Sequence, residues 1–305
     1  MQNYVNYAII ACVMHRTETK DMTAKEEEKI RRYLEEIHEV NFRLLCEINR
    51  ICTENGIRYY LLAGTLLGAV RHKDFIPWDD DVDLVFARRD YERFLKIFRA
   101  QSPEGCELVD YHEHPEFFDF ICRIVDSRVR IRNLKADDDY YGGRYSHPGV
   151  DLFVFDDCSP CFGLRLKGLR LVYALAMGHR KSVEYEKYKG IQKLGAYILP
   201  AIGRLFPMKC LAALYDRIAA AGSGKSSGWF ISNDQQRLPY WGKVYKKSWF
   251  VRRVKGQIRD RYFPCPKGAR AELKMIYGDY MALPPEDKRF PEHFTSLELE
   301  RENDQ

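Results

Sequence analysis

Apolar positions along this chain fall into two regimes. Between residues 24 and 54 they recur at helical intervals, at Ile30, Leu34, Ile37, Leu44, Ile48 and Ile51, and the spacing predicts one long helix. Thr23-Ala-Lys-Glu26 has capping-box spacing at its start, and Asn55-Gly56 stops it. Beyond that point the runs shorten. Arg58–Ala63 (RYYLLA) and Val82–Phe86 predict buried strands, with Gly64-Thr65 opening a short helix, Leu66–Arg71, between them. Asp90 is expected to cap an amphipathic helix carrying Tyr91, Phe94, Leu95 and Phe98. Further strands are expected near 106–111, 118–125, 128–132 and 149–155, with Asp137–Tyr141 in a solvated connection.

From about residue 163 the texture changes. Leu164–Arg180 and Leu194–Phe206 are basic and apolar but broken by Gly and Pro, and Ser223–Gly228 reads as a flexible joint. An aromatic-rich stretch, Trp229–Phe250, precedes a helix expected over Pro266–Tyr280. The fold class expected is α+β, a mixed sheet flanked by helices with a mostly helical C-terminal part. Four regions follow: an N-terminal extension (1–22), a catalytic core (23–160), a helical and aromatic-rich substrate-binding part (161–294) and a charged, frayed tail (295–305).

Composition narrows the classes. With 46% hydrophobic and 30% charged residues over 305 positions, the chain has the make-up of a soluble globular protein. Its net charge of +5 suits an anionic small molecule or a membrane surface better than nucleic acid, so no nucleic-acid partner is expected. The apolar N-terminus MQNYVNYAIIACVM has no leading Lys or Arg and makes a poor signal peptide; a cytoplasmic protein, peripheral at the inner face of a membrane at most, is expected. The nine cysteines form no regular framework and read as reduced thiols, with Cys158-Ser-Pro-Cys161 lacking the further ligands of a zinc site.

One stretch demands chemistry. DFIPWDDDVDLVF (residues 74–86) sets Asp79, Asp80, Asp81 and Asp83 against an apolar run. A solvated turn is one reading. A calcium loop fails, because Leu84 and Asp90 stand where an EF-hand needs Gly and a bidentate Glu. Strand geometry offers a third: residues two apart share a face, so Asp81 and Asp83 converge while Val82 enters the core, making an oxygen site for Mg²⁺ or Mn²⁺. Gly64-Thr65, about a dozen residues and then Asp–apolar–Asp resembles the signature of the nucleotidyltransferase superfamily. Asp151, heading the apolar run Leu152–Phe155, is the candidate third carboxylate.

Tyr60–Arg89 (YLLAGTLLGAVRHKDFIPWDDDVDLVFARR) closely resembles the signature block of the LicD family, bacterial phosphocholine transferases with fukutin-like ribitol-phosphate transferases as distant cousins. Asp151–Asp156 resembles its second block and Tyr277–Pro285 its C-terminal block, so the likeness spans roughly residues 24–294. It implies a nucleotidyltransferase-type fold that moves a phospho-substituent from a CDP-linked donor, such as CDP-choline, to a hydroxyl of a cell-surface glycan or its lipid-linked precursor. It also implies roles: Asp81 and Asp83 as metal ligands, Asp151 as third ligand or base, Gly64 and Thr65 on donor phosphate, Arg71 and His72 on pyrophosphate oxygens, and Asp79 supporting the loop or a second metal. At Ile258-Arg259-Asp260-Arg261 an Arg stands where relatives often carry Glu, which bears on headgroup recognition.

Trp229, Phe230, Tyr240, Trp241, Tyr245 and Trp249 are a pool for an aromatic cage around a quaternary ammonium, or else core filling. Leu164–Arg180 is either a membrane-surface segment or a packed one. Two other functions stay open: a nucleotidyltransferase using a nucleoside triphosphate on a small molecule or RNA, and a non-catalytic metal-binding pseudoenzyme.

Overall fold

The computed structural model describes residues 24–117, 119–133, 146–158, 162–180, 190–222, 227–233, 243–291 and 297–301. Thr23, Asp137–Tyr141, most of the 223–228 joint, Tyr240 and Trp241 lie outside them.

The first helix, α1 (Ala24–Glu54), runs 31 residues. Its inward stripe, including Leu34, Ile37, Leu44, Leu45, Ile48 and Ile51, is buried, and Arg31–Glu28 and Arg50–Glu54 pairs face solvent. Gly56 then turns the chain at φ 63°, the left-handed region where a side chain is strained.

A mixed sheet packs against α1. Strand β1 (Tyr59–Leu61) leads into α2 (Ala63–Leu67) and a π-helical turn, Gly68–His72. Next come β2 (Val82–Ala87), α3 (Arg88–Ala100), β3 (Cys106–Val109), β4 (Cys122–Asp126), β5 (Val129–Asn133) and β6 (Gly149–Asp157). The path runs β1-β2-β6-β4-β3, and only β2 and β6 are parallel among these neighbours. Because β2 takes one edge of β6, the other is divided: β4 pairs with Gly149–Leu152, and β7 (Trp229–Ser232) with Phe155–Asp157. Strand β8 (Val244–Lys246) extends β7.

Alternation then separates two apolar layers. Val82, Leu84, Phe86, Val150 and Leu152 join α1 and α3 in the larger core. Val85, Phe153 and Phe155 join Tyr60, Tyr245 and Phe250 in a second cluster on the opposite face. Helices α4 (Phe162–Ala176), α5 (Ile191–Gly203) and α6 (Met208–Ala220) form a separate helical layer; Leu169, Val172, Met208, Leu211 and Tyr215 make its core. The α+β expectation holds.

Some boundaries differ from the pattern. Asp90 sits in the first turn of α3 rather than at its cap; that helix starts at Arg88, and Ala87 caps it with no side-chain hydrogen bond. A hairpin of β9 (Arg253–Ile258) and β10 (Arg261–Pro266) precedes α7 (Ala269–Tyr277). The tail read as frayed contributes β11 (Leu297–Arg301), which pairs antiparallel with β5.

Candidate active site

The Gly64-Thr65 turn and the acidic stretch meet where β1 turns into α2 and β2 begins. The β1–α2 turn is strained: Ala63 has φ 45°, sterically costly for a residue with a Cβ. Gly64 follows, and a larger residue there would displace the Asp79 carboxylate. A Cβ there would lie 2.5 Å from Asp79 Oδ2. Thr65 is buried, and its hydroxyl accepts the Asp83 backbone N–H at 2.8 Å. Leu62 N–H donates to the Asp83 carbonyl at 3.0 Å. The Gly-Thr turn is therefore stitched to the first residues of β2.

The acidic turn is held from behind by α1. His38 Nε2 donates to the Asp79 carbonyl at 2.6 Å, and Asn41 Nδ2 to the Asp80 carbonyl at 3.3 Å. Burial lowers the basicity of His38, and its ring stacks on Phe75 at 5.0 Å. Neither residue was singled out in the sequence, but a signal existed: Asn41 occupies the apolar stripe between Ile37 and Leu44, where a polar side chain needs a partner.

With the turn fixed, the carboxylates crowd. One oxygen from each of Asp79, Asp80 and Asp81 lies within 4.8 Å of the others. Burial, then Asp81, Asp83 and Asp80 in turn, push the Asp79 carboxyl well above the usual carboxylate range. Asp83 and Asp151 are register partners on the parallel pair β2–β6, so they stand side by side on one face; both are largely buried. From β4, whose Arg123 is in register with Asp151, the guanidinium donates from Nε to Asp151 Oδ1 at 2.6 Å. Arg123 was missed because a single Arg in a strand carries no signal until its cross-strand neighbour is known. These donors are all hard oxygens carrying surplus negative charge, which fits a divalent cation such as Mg²⁺ or Mn²⁺.

Arg71 and His72 follow on the π-helical turn. Arg71 Nη1 donates to the carbonyls of Tyr280 and Ala282 at 2.9 and 3.1 Å, tethering the C-terminal block. His72 meets Trp78 edge-on at 5.9 Å, and burial followed by Arg71 lowers its basicity. Arg259, at the departure noted in the sequence, turns the β9–β10 hairpin at φ 55°. Its guanidinium lies 4.9 Å from the Phe42 ring and 2.8 Å from Glu39, so this position serves packing against α1. Among the aromatic pool, Phe230 and Tyr245 pack with Phe155 and Phe250 in the second core cluster, the core-filling outcome. Trp229 is exposed, with Lys246 Nζ 5.5 Å from its ring centre.

A cavity of about 280 Å³ lies elsewhere, lined by Arg88, Tyr91, Arg99, Asp110, Cys122 and Val154 among others. Val154 alternates with Phe153 and Phe155, so the cavity opens on the face of β6 opposite Asp151.

Comparison with known proteins finds similarity over most of the chain. The family model "LicD/FKTN/FKRP, nucleotidyltransferase domain" matches residues 56–187. Lipopolysaccharide cholinephosphotransferase LicD of Haemophilus influenzae is 26% identical over 279 residues, 83% of this chain and 93% of that protein. Human ribitol 5-phosphate transferase FKRP is 31% identical over 136 residues, 44% of this chain but only 22% of its own length. An uncharacterised Rickettsia typhi protein is 41% identical over 56 residues, 18% of each chain.

Proposed function

From a chain with a LicD-family domain, related to two transferases of substituted phosphate, we propose a transferase that takes its phospho-substituent, phosphocholine or similar, from a CDP-linked donor. The acceptor is a hydroxyl of a cell-surface glycan or its lipid-linked precursor, and CMP is released. The catalytic core has the nucleotidyltransferase type of fold. The observation that carries this reading is the alignment of Asp83 beside Asp151 on parallel strands, next to the Asp79–Asp81 crowd packed against Gly64.

Asp81, Asp83 and Asp151 would hold Mg²⁺ or Mn²⁺, with Asp79 adjoining. Such a cation, when bound, neutralises charge developing on the donor diphosphate. The protein's own groups do the rest. The Gly64 turn lets backbone approach donor phosphate closely, as only a residue without a Cβ could there. Asp151, oriented by Arg123, accepts the proton of the acceptor hydroxyl. That oxygen forms a bond to the distal phosphorus as the bond from this phosphorus to the bridging oxygen breaks, and the electron pair leaves with CMP. Positioning and fixed charge supply most of the acceleration.

The test is product analysis with CDP-choline, CDP-glycerol and CTP in parallel, each with a hydroxyl-bearing glycan and Mg²⁺. CMP release with labelled headgroup on the glycan is expected from one CDP-linked donor. Pyrophosphate release from CTP alone would replace this reading with nucleotidyl transfer. Metal binding without turnover of any donor would indicate a pseudoenzyme.

A further inference from the structure

Helix α5 presents an apolar face that stays exposed to solvent. Leu194, Tyr197, Ile198 and Ile202 on the helix, and Leu205 and Phe206 at the corner before α6, are all exposed; Leu205 reaches 78% and Leu194 58%. Nine of the sixteen exposed large hydrophobics among the described residues fall between Leu164 and Leu214. Of these, Leu194, Tyr197, Ile198 and Ile202 recur at helical intervals and so share one side of α5.

The helix is pinned in place with this face outward. A Cβ on Gly203 would lie 1.8 Å from the Leu175 carbonyl, and one on Gly178 would lie 2.1 Å from the Pro200 carbonyl, so α5 and the end of α4 meet backbone to backbone. Arg204 Nε donates to the Gly178 carbonyl at 2.8 Å, and His179 Nε2 to the Phe206 carbonyl at 3.0 Å. The neighbouring helices have settled their own apolar faces: Leu169 and Val172 of α4 pack on Met208, Leu211 and Tyr215 of α6. No helix among the described residues is long and apolar enough to cross a membrane alone; the pair Leu194–Gly203 and Met208–Ala220 passes on composition but is bent by 110°. With α6 buried against α4, that pair is not a span.

Charge says what covers the face. Residues 162–180 and 190–222 carry eight Lys and Arg against one acid, an excess above the +5 of the whole chain. The one acid, Asp216, is engaged by Arg88 at 2.6 Å. Lys167 and Arg170 of α4, Arg204 just after α5, and Lys209 and Arg217 of α6 are exposed on the same helical layer. An apolar ridge flanked by cations of one sign matches an anionic lipid surface, whereas a second copy of the same basic surface would meet like charge.

We propose that α5 and the Leu205–Phe206 corner form a docking face for a membrane bearing anionic headgroups. Leu164–Arg180 read in the sequence as either a membrane-surface segment or a packed one; the buried face of α4 makes it the support and α5 the contact.

Co-sedimentation of the full chain with vesicles tests it, comparing phosphatidylcholine alone with phosphatidylcholine–phosphatidylglycerol mixtures. The bound fraction should rise about tenfold or more with the anionic lipid and fall with salt. Ile198→Asp with Ile202→Asp should remove the binding while far-ultraviolet circular dichroism and thermal midpoint stay unchanged. Lys167→Glu with Lys209→Glu, which leaves the apolar face intact, should weaken it in the anionic vesicles and serves if the first variant misfolds. Failure to bind anionic vesicles, or binding that both variants retain, overturns the proposal. A dimer in sedimentation equilibrium that Ile198→Asp dissociates, with no vesicle binding, assigns the face to a second copy instead. Vesicle binding is read without turnover, so its failure leaves the transferase reading untouched.

Discussion

The two ends of the β2–β6 pair use the same residue type to opposite ends. Where the strands begin, Asp83 and Asp151 lie side by side, and burial, followed by the charges of Asp81, Asp83 and Asp80, drives Asp79 toward its protonated form. Where they finish, Asp156 is fully buried, yet Arg88 donates to both its oxygens at 2.8 and 2.7 Å and to Asp216 at 2.6 Å. Burial works against the Arg88 charge, but Asp156 and Asp216 outweigh it and raise its pKa further. Lys247 likewise pairs with Asp157. At the finish Asp156 and Asp157 are each matched by the protein's own cations; at the start Arg123 pairs with Asp151, but five acidic residues share that end. Position in the strand does not distinguish them, since both ends are buried. The sign of the neighbouring charges does.

Breaking the matched end should cost most in stability. Asp156→Ala leaves a buried guanidinium without its main partner and is expected to destabilise the fold by roughly 3–5 kcal/mol in urea unfolding, with turnover per folded molecule close to the parent. A loss under about 1 kcal/mol would erase the contrast between the ends. The crowded end should answer in the opposite currency. Asp83→Asn is expected to lower turnover by about 10²-fold or more while leaving the chelator-treated protein at least as heat-stable as the parent. Mg²⁺ at a hundredfold over its dissociation constant should stabilise the parent by about 2.7 kcal/mol in thermal unfolding and leave Asp83→Asn unmoved.

Glu272 sharpens the comparison as a third case, a carboxylate with neither a cation nor acidic company. It is fully buried on α7, both oxygens lack hydrogen-bond partners among the described residues, and burial pushes its pKa up from 4.5 to about 8. A carboxyl raised on folding favours the native state fully below its unfolded value, and that contribution is lost as pH rises toward the folded one. Between pH 5 and 7 the parent should therefore lose about 2 kcal/mol relative to Glu272→Gln in paired denaturant titrations; parallel pH profiles would show the carboxyl to be solvated. The smallest effect is expected at Arg259→Ala. Losing the stack on Phe42 should cost about 0.5–1 kcal/mol of stability and leave donor preference unchanged, whereas a changed preference would return this position to the site.

The pairing of Asp83 with Asp151 was legible because each borders an apolar run that becomes a strand, whereas Asp81 precedes β2 and groups with Asp79 and Asp80. Helix α1 was legible through its long stripe. What escaped depends on partners distant in sequence. The β9–β10 hairpin turns at Arg259-Asp260, without the Gly or Asn that usually announces a tight turn, and the guanidinium's seat against Phe42 and Glu39 of α1 holds it there. Its strands carry Pro264 and Pro266, which argue against a strand in any local reading. Arg123, His38 and Asn41 likewise gain meaning only from the residues they meet across strands and helices. Strand β11 has a charged sequence, LELER, and becomes a strand because β5 offers it an edge.

The divided edge of β6 has a consequence for how this chain can change length. One strand aligns Asp151 with Asp83 and Arg123 while also seating Asp156 under Arg88, and successive side chains point to opposite faces. A single residue inserted or deleted within Gly149–Asp157 would turn every side chain on one side of it to the wrong face, detaching the acid at one end from its surroundings. Length variation in this protein therefore belongs in the connections before β6 and after it, and the strand itself acts as a fixed ruler between the two ends.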